Sequence, residues 1–161
     1  MCKEKRQYMK VAFLDRDGTI CRDYPDQDWA NVKHLEIIEQ HLQIWQRLIE
    51  QGYQLIIVSN QYLIGEAIIS RQQFETLHQE LLQKLATMGI PILDTFVCPH
   101  HRDDICDCHK PGTGLVEQAQ AKYDIDMSEA LLIGDSINDY QLAERMNIRF
   151  LSVAPEVEHR I

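Results

Sequence analysis

Two carboxylates spaced two residues apart follow a short apolar run near the amino terminus. The run VAFL at positions 11–14 leads directly into DRDGT at positions 15–19. The apolar residues are typical of a buried parallel strand, and Gly18 is typical of the turn that ends it. Because ligands of open α/β sheets bind beyond the carboxyl ends of the strands, we expect Asp15 and Asp17 at the mouth of a site. Taken alone, Asp-x-Asp-Gly also fits an acidic turn after a core strand.

Three further apolar runs are also followed by polar side chains. These are Ser59 and Asn60 after positions 55–58, Lys110 in the loop after positions 92–97, and Asp135 and Asp139 after positions 130–134. Carboxylates without thiols or imidazoles suit Mg²⁺, and a lysine with a hydroxyl beside such a site suits a phosphate group. One carboxylate can attack phosphorus, and a second can transfer the proton. The inventory predicts a phosphomonoester hydrolase.

A second group of candidate ligands lies in one short loop. Cys98, His100, Cys106 and Cys108 supply three thiols and an imidazole. Such ligands suit tetrahedral zinc, and four protein ligands close the coordination sphere, as in a structural site. His101 and His109 are alternative imidazole ligands, so the identity of the fourth ligand is inferred. The other interpretation is a loop of free cysteines, which the clustering disfavours.

The elements that must position these groups alternate along the chain. Helices are predicted over residues 34–51, from a Ser70–Gln73 capping box to Gly89, over 114–123 and over 137–146, with a last short strand at 149–153. Strands alternating with helices predict an α/β fold, a doubly wound parallel sheet with right-handed crossovers. Residues 21–32 and 61–69 are predicted to be loops over the site, and His78 to be a surface or boundary residue.

Length and charge narrow the possible partners. The 161 residues suggest one domain spanning 1–161, and the net charge of −9 argues against binding to nucleic acid or to an anionic membrane surface. The amino terminus lacks the apolar segment of a secretion signal, and five cysteines in such a chain point to reduced thiols or metal. We therefore expect a cytoplasmic monomer that acts on a small molecule. The acidic tail from Pro155 is expected to be mobile.

In motif order, the chain resembles the haloacid dehalogenase superfamily of phosphatases. The motifs are Asp15-x-Asp17-Gly-Thr, Ser59-Asn60, Lys110 and Gly134-Asp135-x-x-x-Asp139. The cysteine-rich loop further resembles the zinc-containing branch that holds D-glycero-D-manno-heptose 1,7-bisphosphate phosphatase and histidinol-phosphate phosphatase. The resemblance implies a Rossmann-like core without a separate cap domain, and Mg²⁺ and Zn²⁺ as cofactors.

The resemblance also implies roles, carried over position by position. Asp15 would be the nucleophile that forms an aspartyl-phosphate, and Asp17 the general acid and base, with its backbone carbonyl on Mg²⁺. Ser59 and Asn60 would bind the phosphoryl group, and Lys110 would neutralise its charge and orient Asp15. The magnesium set would be Asp15, Asp17 and Asp135, the zinc set Cys98, His100, Cys106 and Cys108, and the further candidates Asp139 and His109.

Two departures from the branch concern the substrate. Relatives often have an arginine just before the motif lysine, where this chain has His109. Heptose bisphosphatases usually carry an arginine in the loop after Asn-Gln, where positions 62–67 read YLIGEA. Both departures remove positive charge from where a second phosphate would be held. The expected substrate is a sugar phosphate such as D-glycero-D-manno-heptose 1,7-bisphosphate, with histidinol phosphate as the alternative.

Two non-enzymatic functions compete with hydrolysis. One is a phospho-acceptor signalling domain, which also uses an aspartate and a lysine on a doubly wound sheet. The other is a zinc-stabilised binding domain that has lost activity. Asp17 disfavours both, because a signalling domain should not place a general acid and base beside its phospho-aspartate, and an inactive relative should lack the nucleophile or the acid.

Overall fold

Five parallel strands form the centre of the fold. The computed structural model describes residues 5–154, so the tail from Pro155 lies outside the described residues. The strands are β1 (Lys10–Leu14), β2 (Tyr53–Asn60), β3 (Asp94–Cys98), β4 (Leu131–Gly134) and β5 (Arg149–Ser152). Their order in the sheet is β3-β2-β1-β4-β5, and every pairing is parallel. All the carboxyl ends therefore meet at one edge, as the alternating pattern predicts.

Helices cover both faces of the sheet. They are α1 (Leu42–Glu50), α2 (Tyr62–Gly65), α3 (Arg71–Thr87), α4 (Gly114–Lys122) and α5 (Ile137–Met146), with 3₁₀ helices at Asp26–Asn31 and Glu39–His41. The predicted capping box is confirmed, since Gln73 donates its backbone N–H to Ser70 Oγ and accepts the Ser70 N–H in return. None of the helices within residues 5–154 is long and apolar enough to cross a membrane.

Alternation along the strands divides the buried side chains between two cores. Along β1, Ala12 and Leu14 belong to the core shared with α1 and α3, whereas Val11 and Phe13 belong to the core shared with α4 and α5. All four side chains are fully buried. Because burying one Val, Leu or Phe side chain contributes about 1.5–3 kcal/mol, this strand is firmly held and fixes the position of the two aspartates that follow it.

The predicted helix over residues 34–51 is wrong at its amino-terminal half. The α-helix begins at Leu42, because residues 36–38 are extended against the segment that follows β1 and Glu39–His41 form a 3₁₀ turn. Ile37 forms an antiparallel bridge with Cys21, and the Ile38 N–H donates to the Ile20 carbonyl at 2.9 Å. Leu35 is buried, but it reaches the core from an extended segment. Its apolar spacing therefore mimics a helix without forming one.

His78 is buried, which contradicts its predicted place at the surface. Its ring stacks on Phe74 with a centroid distance of 5.3 Å, and its Nε2 lies 2.9 Å from Thr95 Oγ1 on β3. The imidazole follows Phe74 by one helical turn and therefore shares its buried face.

Candidate active site

The carboxyl edge of the sheet carries a cavity of about 160 Å³. Six residues proposed from the sequence line it: Asp15, Asp17, Ser59, Asn60, Lys110 and Asp135. Six others were missed: Asp23, Trp29, Tyr62, Leu63, Ser136 and Asn138. Most of the missed residues come from the two segments predicted to be loops over the site, although the second is helical over Tyr62–Gly65. The sequence therefore indicated the segments but not their side chains. Trp29 lies on the 3₁₀ helix within the first segment and is buried.

The ammonium of Lys110 is buried with three acceptors. It donates to Asp15 Oδ1 at 2.8 Å, to Asp139 Oδ1 at 2.7 Å and to the Val58 carbonyl at 2.9 Å. Burial alone lowers the pKa of Lys110, but the charges of Asp139 and Asp15 outweigh it and raise the pKa above its usual value. Lys110 therefore stays charged and holds one oxygen of Asp15.

Asp139 has both oxygens occupied by neighbouring donors. It is fully buried, and its Oδ1 accepts from Lys110 while its Oδ2 accepts from Ser136 Oγ at 2.8 Å. Ser136 and Asp139 also form the capping box that begins α5. The Asp139 carboxylate is thereby fixed as a partner of Lys110 and of the helix terminus.

Asp15 and Asp135 form a carboxylate pair that faces the cavity. Burial, and then the charge of Asp139, raises the pKa of Asp15 well above its usual value, against the opposing effect of Lys110. Burial likewise raises the pKa of Asp135. Gly18 has a φ of +85°, and a Cβ there would overlap the Asp135 carboxylate, so glycine is needed on both counts.

This carboxylate pair fits a divalent cation. Ligand oxygens of Asp15, Asp135 and Asp139 all lie within 4.8 Å of one another. With Asp139 committed to Lys110, Asp15 and Asp135 are the two carboxylates whose crowding a cation would relieve. All-oxygen donors of this kind suit Mg²⁺.

The carboxylate of Asp17 is held by donors that the sequence analysis missed. Arg16 donates from Nε to Asp17 Oδ1 at 2.9 Å and from Nη2 to Oδ2 at 3.2 Å, and Gln61 Nε2 donates to Oδ2 at 2.8 Å. The Arg16 side chain is buried, with its guanidinium 5.0 Å from the Phe74 ring centroid. The only feature of the sequence that could have indicated this role of Arg16 is its position between Asp15 and Asp17.

Ser59 and Asn60 end β2 with different contacts. Ser59 Oγ accepts from Gln61 Nε2 at 2.9 Å, which links it to the same amide that holds Asp17. Asn60 pairs with the backbone of Lys110: the Lys110 N–H donates to Asn60 Oδ1 at 2.8 Å, and Asn60 Nδ2 donates to the Lys110 carbonyl at 3.1 Å. The amide of Asn60 therefore fixes the peptide that presents the lysine.

The predicted zinc ligands converge at the carboxyl end of β3. Cys98 Sγ lies 3.6 Å from Cys106 Sγ and 3.3 Å from His100 Nδ1, which lies 3.2 Å from Cys108 Sγ. Two thiolates on a tetrahedral ion with Zn–S bonds of about 2.3 Å would be about 3.8 Å apart. The four residues thus fit zinc.

The two alternative histidines lie apart from this cluster. His101 Nδ1 accepts the Asp103 N–H at 3.0 Å, and the side chain of His101 is 41% exposed. His109 is half-buried, and burial, Lys110 and Arg102 lower its pKa. The geometry therefore favours His100 as the fourth ligand.

Comparison with known proteins identifies relatives of this arrangement. The sequence model of the polynucleotide kinase 3 phosphatase family matches residues 10–152. A probable D-glycero-D-manno-heptose-1,7-bisphosphate 7-phosphatase from Thermoplasma acidophilum is 35% identical over 149 residues, covering 92% of each chain. A histidine biosynthesis bifunctional protein HisB from Campylobacter jejuni subsp. doylei is 30% identical over 158 residues, which cover 94% of this chain but 45% of that protein.

A solved structure shares the fold. The D,D-heptose 1,7-bisphosphate phosphatase from B. bronchiseptica, complexed with magnesium and phosphate, superposes with a TM-score of 0.77 at 27% identity. The similarity covers 88% of this chain and 79% of that one. The doubly wound sheet is therefore one that known phosphatases use.

Proposed function

Because the chain belongs to the polynucleotide kinase 3 phosphatase family, within the haloacid dehalogenase superfamily, and is a phosphatase, we propose that it hydrolyses a small phosphate monoester with Mg²⁺ through an aspartyl-phosphate. The observation that carries the proposal is the buried Lys110, which donates to Oδ1 of Asp15 at 2.8 Å at the edge of the cavity that Asp15 lines. Residues 1–161 would work as one phosphatase domain.

In the first step, Oδ2 of Asp15 attacks phosphorus and the ester P–O bond breaks. Asp17 enters this step protonated and gives its proton to the departing oxygen, and the carboxylate that results accepts hydrogen bonds from Arg16 and Gln61. Mg²⁺ bound by Asp15, Asp135 and the backbone carbonyl of Asp17 would supply positive charge to the phosphoryl oxygens. Ser59, at the end of β2, would hydrogen-bond one of those oxygens, with Asn60 beside it.

In the second step, water attacks the phosphorus of the aspartyl-phosphate, Asp17 takes the proton, and the bond from phosphorus to Asp15 breaks. Lys110 stabilises the carboxylate that is released, because its ammonium already contacts Asp15 and is fixed by Asp139. Asp15 is thereby regenerated and inorganic phosphate is the product.

Zinc would have a structural role in this mechanism. Four protein ligands leave no open position for substrate or water. The loop from Cys98 to Cys108 is poor in apolar residues and ends two residues before Lys110. A metal clip would therefore keep the loop, and the lysine that follows it, in place.

The proposed substrate class is the sugar phosphates, with D-glycero-D-manno-heptose 1,7-bisphosphate as the first candidate because relatives are named for it. Histidinol phosphate is the second candidate, because the match to HisB covers nearly the whole chain. Nucleic-acid ends are not expected to be substrates, since Lys110 is the only Lys or Arg among the residues of 5–154 that line the cavity.

Phosphate release with Mg²⁺ tests the proposal. Four compounds are compared: D-glycero-D-manno-heptose 1,7-bisphosphate, histidinol phosphate, glucose 6-phosphate and a 3′-phosphorylated oligonucleotide. Asp15→Asn is the blank, and a chelator gives the metal-free control. We expect Mg²⁺-dependent release from at least one small ester and none from the oligonucleotide. Release that is equal in Asp15→Asn would show that Asp15 is not the nucleophile, and the absence of release from every ester would refute the proposed reaction.

A further inference from the structure

Three segments meet in one cluster of charged and aromatic side chains beside the cavity. Arg102 lies in the loop from Cys98 to Cys108, called the zinc loop. It donates from Nε to Glu66 Oε1 at 2.7 Å and from Nη2 to Oε2 at 3.0 Å. Its Nη1 lies 3.4 Å from Asp26 Oδ2, and its guanidinium lies 4.4 Å from the Tyr62 ring centroid. The Tyr62 hydroxyl donates to Asp26 Oδ1 at 2.7 Å. We call these four residues, Asp26, Tyr62, Glu66 and Arg102, the mouth cluster.

The mouth cluster borders the path that a leaving group takes. Tyr62 lines the cavity together with Asp23, Trp29 and Leu63, all from the two segments that follow β1 and β2. The phosphoryl group belongs next to Asp15, so the remainder of a substrate extends toward these four residues. Their surroundings therefore decide which leaving groups are accepted.

Close packing fixes the mouth cluster in position. A Cβ on Gly65 would overlap the backbone of the zinc loop at residues 99–101, so the turn of α2 lies directly on that loop. Glu66 follows Gly65 immediately and meets Arg102 from the same loop. The backbone of Glu66 is therefore held beside the zinc loop for as long as α2 packs on that loop.

The charge of the mouth is negative. Arg102 is the one cation of the mouth cluster, and the carboxylates of Glu66 and Asp26 occupy its donors. Outside the cluster, the imidazole of His101 also lies near Glu66, with Nε2 3.8 Å from Oε1. Hydrogen bonds from Arg102 lower the pKa of Glu66, which is therefore ionised at neutral pH. Asp23 adds a third carboxyl inside the cavity, and burial and the charge of Asp17 raise its pKa, which indicates that negative charge is already crowded there.

We propose that the mouth cluster and Asp23 make this phosphatase selective for substrates with a single phosphate group and against bisphosphates. The inference rests on the proposed reaction and narrows its substrate, because it ranks histidinol phosphate, which carries one phosphate group, above D-glycero-D-manno-heptose 1,7-bisphosphate. A second phosphate would lie near the carboxylates of Asp23, Asp26 and Glu66, while the guanidinium of Arg102 is already paired. Repulsion between like charges that have no counter-ion disfavours binding of such a substrate. Positions 62–67 contain no arginine, and Arg102 from the zinc loop is paired with Glu66. Arg102 therefore cannot replace that missing cation as a partner for a second phosphate.

A matched pair of substrates tests the selectivity. We would measure kcat/KM for D-glycero-D-manno-heptose 7-phosphate against the 1,7-bisphosphate, and for glucose 6-phosphate against glucose 1,6-bisphosphate. In each pair the monophosphate is expected to be favoured at least tenfold. In the double variant Asp26→Asn, Glu66→Gln this ratio should fall about tenfold, chiefly through the KM of the bisphosphate. Glu144→Gln, which removes one exposed carboxylate on α5, should keep the wild-type ratio.

Salt dependence gives a second readout that needs no variant. Raising the ionic strength screens the mouth carboxylates, so the wild-type ratio should fall toward one as salt is added. A preference for bisphosphates, or a ratio that neither salt nor the double variant changes, would overturn the inference while leaving the proposed hydrolysis intact. No release from any monoester would instead refute the proposed function itself.

Discussion

The carboxylate of Asp139 lies 2.7 Å from the ammonium of Lys110, and neither side chain is more than 3% exposed. Lys110 also contacts Asp15, so a buried cation lies between two buried carboxylates. The ion pair links the start of α5 to the strand that carries the candidate nucleophile. Such a pair is costly to break, because removing one partner leaves a charge in a medium that solvates it poorly.

Lys110→Met should therefore destabilise the protein strongly. We expect the free energy of unfolding, measured by urea denaturation at pH 7, to fall by about 3–5 kcal/mol. Lys122→Met is the matched control, because it breaks the exposed pair between Lys122 and Asp94 and should cost less than about 1 kcal/mol. Similar losses in both variants would show that the buried charges are not what makes Lys110 important for stability.

Asp17→Asn should separate the proton transfer from the rest of the reaction. The amide keeps the shape of the side chain beside Arg16 and Gln61 but cannot supply a proton. We expect kcat to fall about a hundredfold or more on an alkyl phosphate. The loss in formation of the aspartyl-phosphate should be smaller with p-nitrophenyl phosphate, whose leaving group needs no proton. The rate of aspartyl-phosphate formation would be measured from the pre-steady-state burst. An equal loss of this rate on both substrates would argue against Asp17 as the acid.

His78 should make stability depend on pH. Burial, and then the charge of Arg16, lowers the pKa of His78 to about 4, below its ordinary value of about 6.5. The unfolded chain therefore binds a proton that the folded chain refuses, so this contribution is complete above about pH 6.5 and is lost as the pH falls toward 4.

The variant His78→Gln lacks this titration. The wild-type advantage in free energy of unfolding over His78→Gln should be about 2 kcal/mol smaller at pH 4.5 than at pH 7.5. Gln79→Ala, at the exposed neighbouring position, should follow the wild type at both pH values. A His78→Gln difference that is the same at both pH values would mean that the imidazole is not kept neutral by the fold.

The sequence predicts the parts of the site that lie at strand ends. Asp15, Ser59 and Asp135 each follow an apolar run, and parallel pairing brings the ends of such runs together whatever the loops do. The spacing of apolar residues likewise predicts α3 and α5, and a capping box predicts the start of α3, since both features are local. The four candidate zinc ligands converge as their clustering predicts.

The sequence does not predict contacts that depend on how separate loops pack. Nothing local shows that Arg102 reaches Glu66, 36 residues earlier, or that Arg16 turns toward Asp17 and His78. The apolar spacing of residues 34–38 predicts a helix, but tertiary pairing with residues 20–22 keeps this segment extended. These failures concern side chains and segments whose partners are distant in sequence.

Removing zinc should weaken both stability and turnover, because the zinc loop leads directly into Lys110. Asn60 fixes the Lys110 peptide from one side, and Cys108, two residues earlier, would fix it from the other. A zinc-selective chelator is expected to lower Tm by about 4–8 °C, which corresponds to about 2 kcal/mol for a chain of this length, and to reduce kcat in excess Mg²⁺. Cys106→Ser should reproduce both effects, and added zinc should restore the chelated wild type but not the variant. Purified protein without stoichiometric zinc, or one whose Tm and kcat ignore the chelator, would show that the cysteines are not a metal site.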